Sequence, residues 1–340
     1  MSLLDCIKRI PSLNEEIINT YPNQFIGLEK MKNKIKKIIF VASGSSYNAA
    51  CVSKHFVENQ CEIEVEVIFP NVFNQQKYHK NDESILYVFI SQTGATKLVY
   101  EIVDDLQNKG YQVASIVGEL DSPIAKISKN PIDMGCQHEE YKYKTIGVST
   151  SIVTCWLLGC YLSDYKEIKE LSIVNNQLDN IVEKALEWYD SHKYELMKRN
   201  LALFTGSNSL WPVSTEADIK FMEMIPYLTK SYELEEFIHG PQNEFNNNEL
   251  FFVATKKGIE DQKSIAISKF LKNEIGCCYM VGNLTLDGND FEFPCEESHF
   301  YELKHLCFYQ VIAYKLADDR GRNLNQGLNT IITSYINKTM

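Results

Sequence analysis

Lys37-Ile-Ile-Phe-Val-Ala-Ser43-Gly-Ser-Ser-Tyr-Asn48 joins a short apolar run to a turn of hydroxyls around one glycine, and residues 49–59 continue with a helical pattern. An apolar strand feeding a helix through such a turn is one βα unit. The next unit repeats the design. Residues 84–91 form a second apolar run, Gln92-Thr-Gly-Ala-Thr96 a second turn, and residues 96–109 carry Leu98, Val99, Ile102, Val103 and Leu106 on one helical face before Gly110 closes it. Strands are also expected at 64–69 and 112–118. Strands alternating with amphipathic helices predict an α/β fold in which a parallel sheet is covered on both faces.

A polar helical stretch over 166–192 leads into a second series: strand 201–207, helix 215–224, strands 249–255 and 277–283, and helix 298–317. The second half therefore repeats the architecture of the first. The expected division is an N-terminal helical segment at 1–33, a first domain at 34–190, a second at 191–325 and a C-terminal tail at 326–340. Two domains suit a chain of 340 residues.

Hydrophobic residues at 44% and charged residues at 23% are globular proportions. The formal charge of -11, from 34 basic and 45 acidic side chains, argues against nucleic acid or an anionic membrane as the main partner, since both reward a basic face. The ten cysteines are scattered, Cys277 and Cys278 are adjacent, and no C-x-x-C occurs, so reduced, mostly buried thiols are expected. The N-terminus soon turns polar, which argues against a signal peptide. No stretch of about 18 uncharged apolar residues is expected, and the location expected is cytoplasmic. His299 and His305 are six apart, not the three or four of a helical metal pair, so neither metal nor cofactor is expected.

The two turns carry the chemistry. Hydroxyls and backbone N–H groups converge at a helix N-terminus, where the macrodipole favours an anion, and the first turn does this without a lysine. Serine and threonine there also serve as plain helix caps. Two such turns in successive βα units lie at the carboxyl edge of one sheet, where open α/β folds bind ligands. A third turn, Thr145-Ile-Gly-Val-Ser-Thr-Ser151, precedes an apolar helix and adds either another wall or another cap.

Ser43-Gly-Ser-Ser-Tyr-Asn48 resembles the first phosphate turn of SIS (sugar isomerase) domains, and Ser91-Gln-Thr-Gly-Ala-Thr96 resembles their S-Q-S/T-G-x-T turn. Lys220-Phe-Met-Glu223 and Glu235-Glu-Phe-Ile-His239-Gly-Pro241 are similar to the K-x-x-E and E-x-x-H-G-P segments of the isomerase part of glucosamine-6-phosphate synthases. The resemblance runs from about residue 34 to the C-terminus. It implies two SIS domains, each a five-stranded parallel sheet between helices in three layers, with a sugar phosphate held mainly by the first. It implies phosphate contacts from Ser45, Ser46, Ser91, Gln92, Thr93 and Thr96, in a cradle that includes Ser43 and Gly44. Val148 and Thr150 approach the sugar. Glu223 stands where the family has its base, and His239 where it has the ring-opening histidine, which relatives donate across a homodimer interface.

The residues support that chemistry on their own terms. Moving a carbonyl or amine between C1 and C2 needs one group to take a proton and return it to the neighbouring carbon, and a single carboxylate can do both. Glu223 lies beside Ile219 and Met222, so an apolar surround is expected to raise its pKa. A histidine such as His239 titrates near working pH and suits ring opening. In the synthases a lysine follows an arginine-asparagine-leucine segment; here that run is Arg322-Asn-Leu-Asn-Gln326, and a glutamine forms no Schiff base. Ala95 stands where the synthases have a glutamate. About 35 residues precede the first strand, too few for a glutaminase or a DNA-binding module. These departures point to fructosamine-6-phosphate deglycases, with amino-sugar-phosphate or aldose–ketose isomerases and a non-catalytic phosphosugar sensor as alternatives.

Overall fold

The computed structural model describes residues 2–76 and 79–340; Met1, the first residue of the expected N-terminal segment, lies outside it, as do residues 77 and 78. The elements in chain order are α1 (Leu3–Thr20), β1 (Lys37–Val41), α2 (Ser45–Gln60), β2 (Glu64–Ile68), α3 (Pro70–Gln75), β3 (Ile85–Ser91), α4 (Lys97–Asn108), β4 (Val113–Val117), α5 (Pro123–Ile127), β5 (Pro131–Asp133) and α6 (Ile146–Ser163). They continue with α7 (Lys169–Asn175), α8 (Leu178–Met197), β6 (Leu201–Gly206), α9 (Leu210–Met224), β7 (Leu228–Glu233), β8 (Glu249–Thr255), α10 (Asp261–Phe270), β9 (Cys278–Gly282), β10 (Phe291–Glu292) and α11 (Glu302–Asp319).

The chain forms two compact units, Ser12–Ser172 with Gln326–Met340, and Met1–Pro11 with Ile173–Asn325. The division falls inside α7, earlier than the expected boundary near 190, because α8 packs against α11 in the second unit. The polar periodicity of 166–192 reads as one stretch, whereas it is the two helices α7 and α8.

Each unit holds one five-stranded sheet, ordered β2-β1-β3-β4-β5 in the first and β10-β9-β8-β6-β7 in the second. All pairings are parallel. The α/β class and the repeated architecture are as expected. Every residue of β3, β4 and β8 is buried, as strands covered on both faces must be. Both sheets reverse strand order beside their first strand, at β1/β3 and at β6/β8, and that switch opens a crevice at the carboxyl ends.

One expectation is overturned. α6 is an 18-residue stretch without a charged side chain, long and apolar enough to cross a membrane, and all its residues from Ile146 to Leu162 are buried inside the protein. A helix apolar all round also suits the core of a large domain. The ten cysteines carry no disulfide.

The second unit also buries His305 on α11, with Nε2 3.0 Å from the Thr255 carbonyl and Nδ1 3.2 Å from that of Tyr301. Burial outweighs both contacts and holds its imidazolium down to about 4 from an ordinary 6.5. The unfolded chain therefore binds the extra proton first. This contribution, on the order of 3 kcal/mol, is complete above about pH 6.5 and is lost as pH falls toward 4. Urea unfolding followed from neutral pH down to about pH 4.5 is expected to show a shallower loss of stability for His305→Gln than for the unmodified chain.

Candidate functional site

In the first unit the strand reversal places the two hydroxyl-rich turns at the carboxyl ends of adjacent strands, since β1 pairs with β3 over Lys37↔Ile85 to Val41↔Phe89. Ser43 and Gly44 are exposed, and Ser45 and Ser46 lie half-buried in the first turn of α2. Gly44 is the N-cap at φ +58, a backbone that side chains rarely adopt. In the second turn the Ser91 and Thr96 hydroxyls are 3.0 Å apart. Thr96 is the N-cap of α4 but makes no side-chain cap bond, its hydroxyl being turned to Ser91 instead. Thr93 is exposed, and its hydroxyl lies 3.4 Å from the Ala95 N–H. Gly94 sits at φ +57, where a Cβ would come within 2.0 Å of the Ser122 hydroxyl oxygen.

Two further groups belong to this turn and were not read from the sequence. A small cavity of about 100 Å³ beside Gln92 and Thr93 is lined by His138, Glu139 and Lys144 among others, so a lysine does stand near the cradle. Its ammonium donates to the Glu139 carbonyl at 2.6 Å. The tail also lies along the turn: the Lys97 N–H donates to the Lys338 carbonyl at 3.1 Å, and the Met340 N–H to the Ala95 carbonyl at 2.8 Å. Gln326 accepts from the Tyr143 hydroxyl through its carbonyl, at 3.2 Å. No sequence signal pairs such distant segments.

The third turn is differently arranged. The buried Glu139 carboxylate caps α6, taking the Thr145 N–H at 2.6 Å and its hydroxyl at 2.9 Å, then the Ile146 N–H at 3.1 Å. An anion is thus already built in at that helix N-terminus, which leaves α2 and α4 to attract a phosphate. Val148 and Thr150 are buried, and the Thr150 hydroxyl donates back to the Ile146 carbonyl at 3.2 Å. Neither presents surface to a ligand.

The second unit has the same switch point, but its turn is closed by its own side chains. Gly258 N–H donates to Asp261 at 2.8 Å, and Lys257 N–H to Asn283 at 2.8 Å. What this unit contributes instead is a charged array on α9. Glu216, Lys220 and Glu223 follow at i, i+4 and i+7 on one helical face. The Lys220 ammonium lies 3.4 Å from Glu216 and in direct contact with the Glu223 carboxylate. Burial works against the Lys220 charge, but the two carboxylates outweigh it and hold its pKa above the ordinary lysine value. Lys220 and Glu216 are each 1% exposed, whereas the Glu223 side chain keeps 30% of its surface. The apolar surround expected for Glu223 is absent: Met222 is exposed and Ile219 only half-buried, because the buried face of α9 runs through Val213, Glu216, Ala217, Lys220, Phe221 and Met224. A carboxylate fixed by a buried ammonium and open on one side can take and return a proton.

His239, also in the second unit, follows β7, which ends at Glu233, and a single 3-10 turn at Glu236–Ile238. Its ring is exposed, with Nδ1 2.8 Å from the Glu235 carbonyl. Donation from Nδ1 leaves the lone pair on Nε2. Arg320 is bound to the carbonyls of Met197 and Arg199 and to the Tyr227 hydroxyl, and Arg322 donates to the Met224 carbonyl at 3.2 Å. The hollow of about 590 Å³ around Lys272 opens at the amino end of β9, the edge where parallel sheets do not bind ligands, and Asp287 and Asp290 already pair with that lysine.

Residues 33–158 match the family model of the SIS domain. A glutamine–fructose-6-phosphate aminotransferase (isomerizing) of Thermotoga maritima is 25% identical over 316 residues, 86% of this chain and 50% of its own length. The chain spans about half the length, or less, of the curated relatives it matches. Among solved structures, a candidate phosphosugar isomerase of Clostridium difficile shares the fold at TM-score 0.89, with 22% identity and 98% of each chain covered. A glucosamine-6-phosphate deaminase of Thermotoga maritima shares it at TM-score 0.77, with 21% identity over 95% of this chain and 97% of its own.

Gly94→Ala must displace either the turn or Ser122, so inorganic phosphate is expected to bind at least about tenfold more weakly by calorimetry, while Gly27→Ala, where a Cβ meets only Asn130 at 3.4 Å, leaves binding unchanged.

Proposed function

We propose that this SIS-domain chain processes a sugar phosphate, and that it is a deglycase cleaving fructosamine 6-phosphates to a sugar phosphate and a free amine. The observation that carries the reading is the Glu216–Lys220–Glu223 array, in which two fully buried charges fix a third carboxylate that stays partly open. Burying a lysine between carboxylates is costly and seldom improves stability over apolar packing, so its retention fits a chemical role for Glu223. The phosphate is anchored by the turns 43–48 and 91–96.

The steps balance with one carboxylate. His239 moves a proton to the ring oxygen and opens the sugar. Glu223 takes a proton from C1 of the ketosamine; the electron pair of that C–H bond forms the C1–C2 double bond while the C2 carbonyl π pair moves onto O2, which takes a proton from solvent. Returning the C1 proton to C2 breaks that double bond, and the nitrogen lone pair closes C1=N as the N–H proton leaves to solvent, which gives the imine. Water adds to it, the C–N bond breaks, and an aldose phosphate and the amine depart. The substrate brings its own amine, so Gln326 in place of a lysine is no obstacle. An aldose–ketose isomerisation uses the same first two transfers without the imine, and the solved relatives favour it as the second reading. The exposure of the His239 ring supports its donation to the site of a second copy in a homodimer.

A panel of Amadori phosphates such as fructoselysine 6-phosphate is expected to release free amino acid; release of none, together with interconversion of glucosamine 6-phosphate, would replace the deglycase by the isomerase. Glu223→Gln should lose about 10²–10⁴-fold in kcat while retaining substrate affinity, and unchanged affinity with no turnover in the unmodified chain would mark a sensor. Mixing inactive Glu223→Gln and His239→Ala chains is expected to restore activity through mixed dimers; a mixture that stays inactive places the two residues in one subunit.

A further inference from the structure

The Glu139 carboxylate does more than cap α6. Oε1 accepts the Thr145 and Ile146 N–H groups, which is all that capping requires. Oε2 points the other way, 3.4 Å from the Gly147 N–H and 3.2 Å from Nε2 of Gln92, a residue of the second hydroxyl-rich turn. The same Gln92 nitrogen has Cys136 Sγ at 3.8 Å. The side-chain amide of Gln92 is therefore directed into the protein.

Two glycines make room for this arrangement. A Cβ on Gly147 would lie 2.1 Å from Oε1 of Gln92 and 2.4 Å from its Nε2, so α6 begins with a residue that lets the amide rest against it. A Cβ on Gly118 would lie 2.6 Å from the Gln92 carbonyl, which accepts the Gly118 N–H at 3.0 Å. Gln92 is thus clamped by the end of β4, by the start of α6 and by Glu139. Its neighbour Gly94 is tied onward, its carbonyl accepting the Ile124 N–H at 2.8 Å.

We propose that Glu139 is a positioning residue of the phosphosugar site, its carboxylate locking the Gln92 amide to the first turn of α6 and so fixing the phosphate turn 91–96 against the segment bearing Val148 and Thr150. The ligand part of this inference rests on the phosphosugar reading above. In this arrangement Gln92 shapes the turn, and the phosphate is met by main-chain N–H groups and by the hydroxyls of Ser91, Thr93 and Thr96. A charged acceptor suits the role because its bonds to neutral N–H groups are about twice as strong as neutral ones.

The test has one arm that needs no ligand. Glu139→Gln keeps the side chain's shape and removes its charge. Hydrogen–deuterium exchange is expected to quicken at the amides of residues 145–147 and also at Gly94 and Gly118 in the turn. Quickening confined to 145–147 makes Glu139 a helix cap alone and overturns the proposal. Gln92→Met leaves the carboxylate in place and is expected, by reciprocity, to quicken exchange at 145–147; no change there overturns it equally, even if Glu139→Gln fails to fold. In the ligand arm, calorimetry with fructose 6-phosphate should show Glu139→Gln binding about tenfold more weakly, and the double variant no more weakly than the worse single one. Losses that multiply overturn the link between the two residues. An unmodified chain that binds no phosphosugar defeats the functional reading, and the exchange result still decides the lock.

Discussion

Parallel strands cannot be joined by tight turns; each must be followed by a crossover that returns the chain to the same edge of the sheet. That constraint organises both units. Because β1 is flanked by β2 on one side and β3 on the other, the crossovers leave it in opposite directions and the turns after β1 and β3 are left side by side. Hydroxyls, glycines and the starts of α2 and α4 are brought to that gap by connectivity. The corresponding gap at β6 and β8 arises in the same way, but Asp261 and Asn283 fill it.

The two units treat charge in complementary ways. Around the first switch point the turns offer main-chain and hydroxyl groups, and the Glu139 carboxylate is withdrawn to the start of α6. In the second unit the charges are side chains in the core of α9, where Lys220 is satisfied only because two carboxylates reach it from one turn above and one turn below. Removing both carboxylates, or the lysine between them, would strand a buried ion, which costs far more than losing a surface pair.

Much of this was legible in the sequence. The apolar runs that became β1, β3, β4, β6, β8 and β9 stood out because strands buried on both faces leave no polar alternation to interpret. The two turns were legible because their residues are contiguous. The environment of Glu223 was not, since the pattern around it registers Ile219 and Met222 as apolar without saying which face of the helix is buried; the answer depends on packing against β6, β7 and α11. Glu139 was missed for a related reason, as it lies seven residues before the first residue of the helix it caps and shares no motif with Gln92. The apolar helix after the third turn was legible, but the full length of α6 was not, because its small and hydroxyl residues, from Gly147 to Ser151, dilute a run that carries no charge at all.

The array on α9 has a mechanical corollary. Its three charged groups are spaced along a single helix, so their mutual distances are set by one rigid element and not by the meeting of several. Any rearrangement that carries α9 as a body would move the Glu223 carboxylate together with Lys220 and Glu216, at no electrostatic penalty within the array.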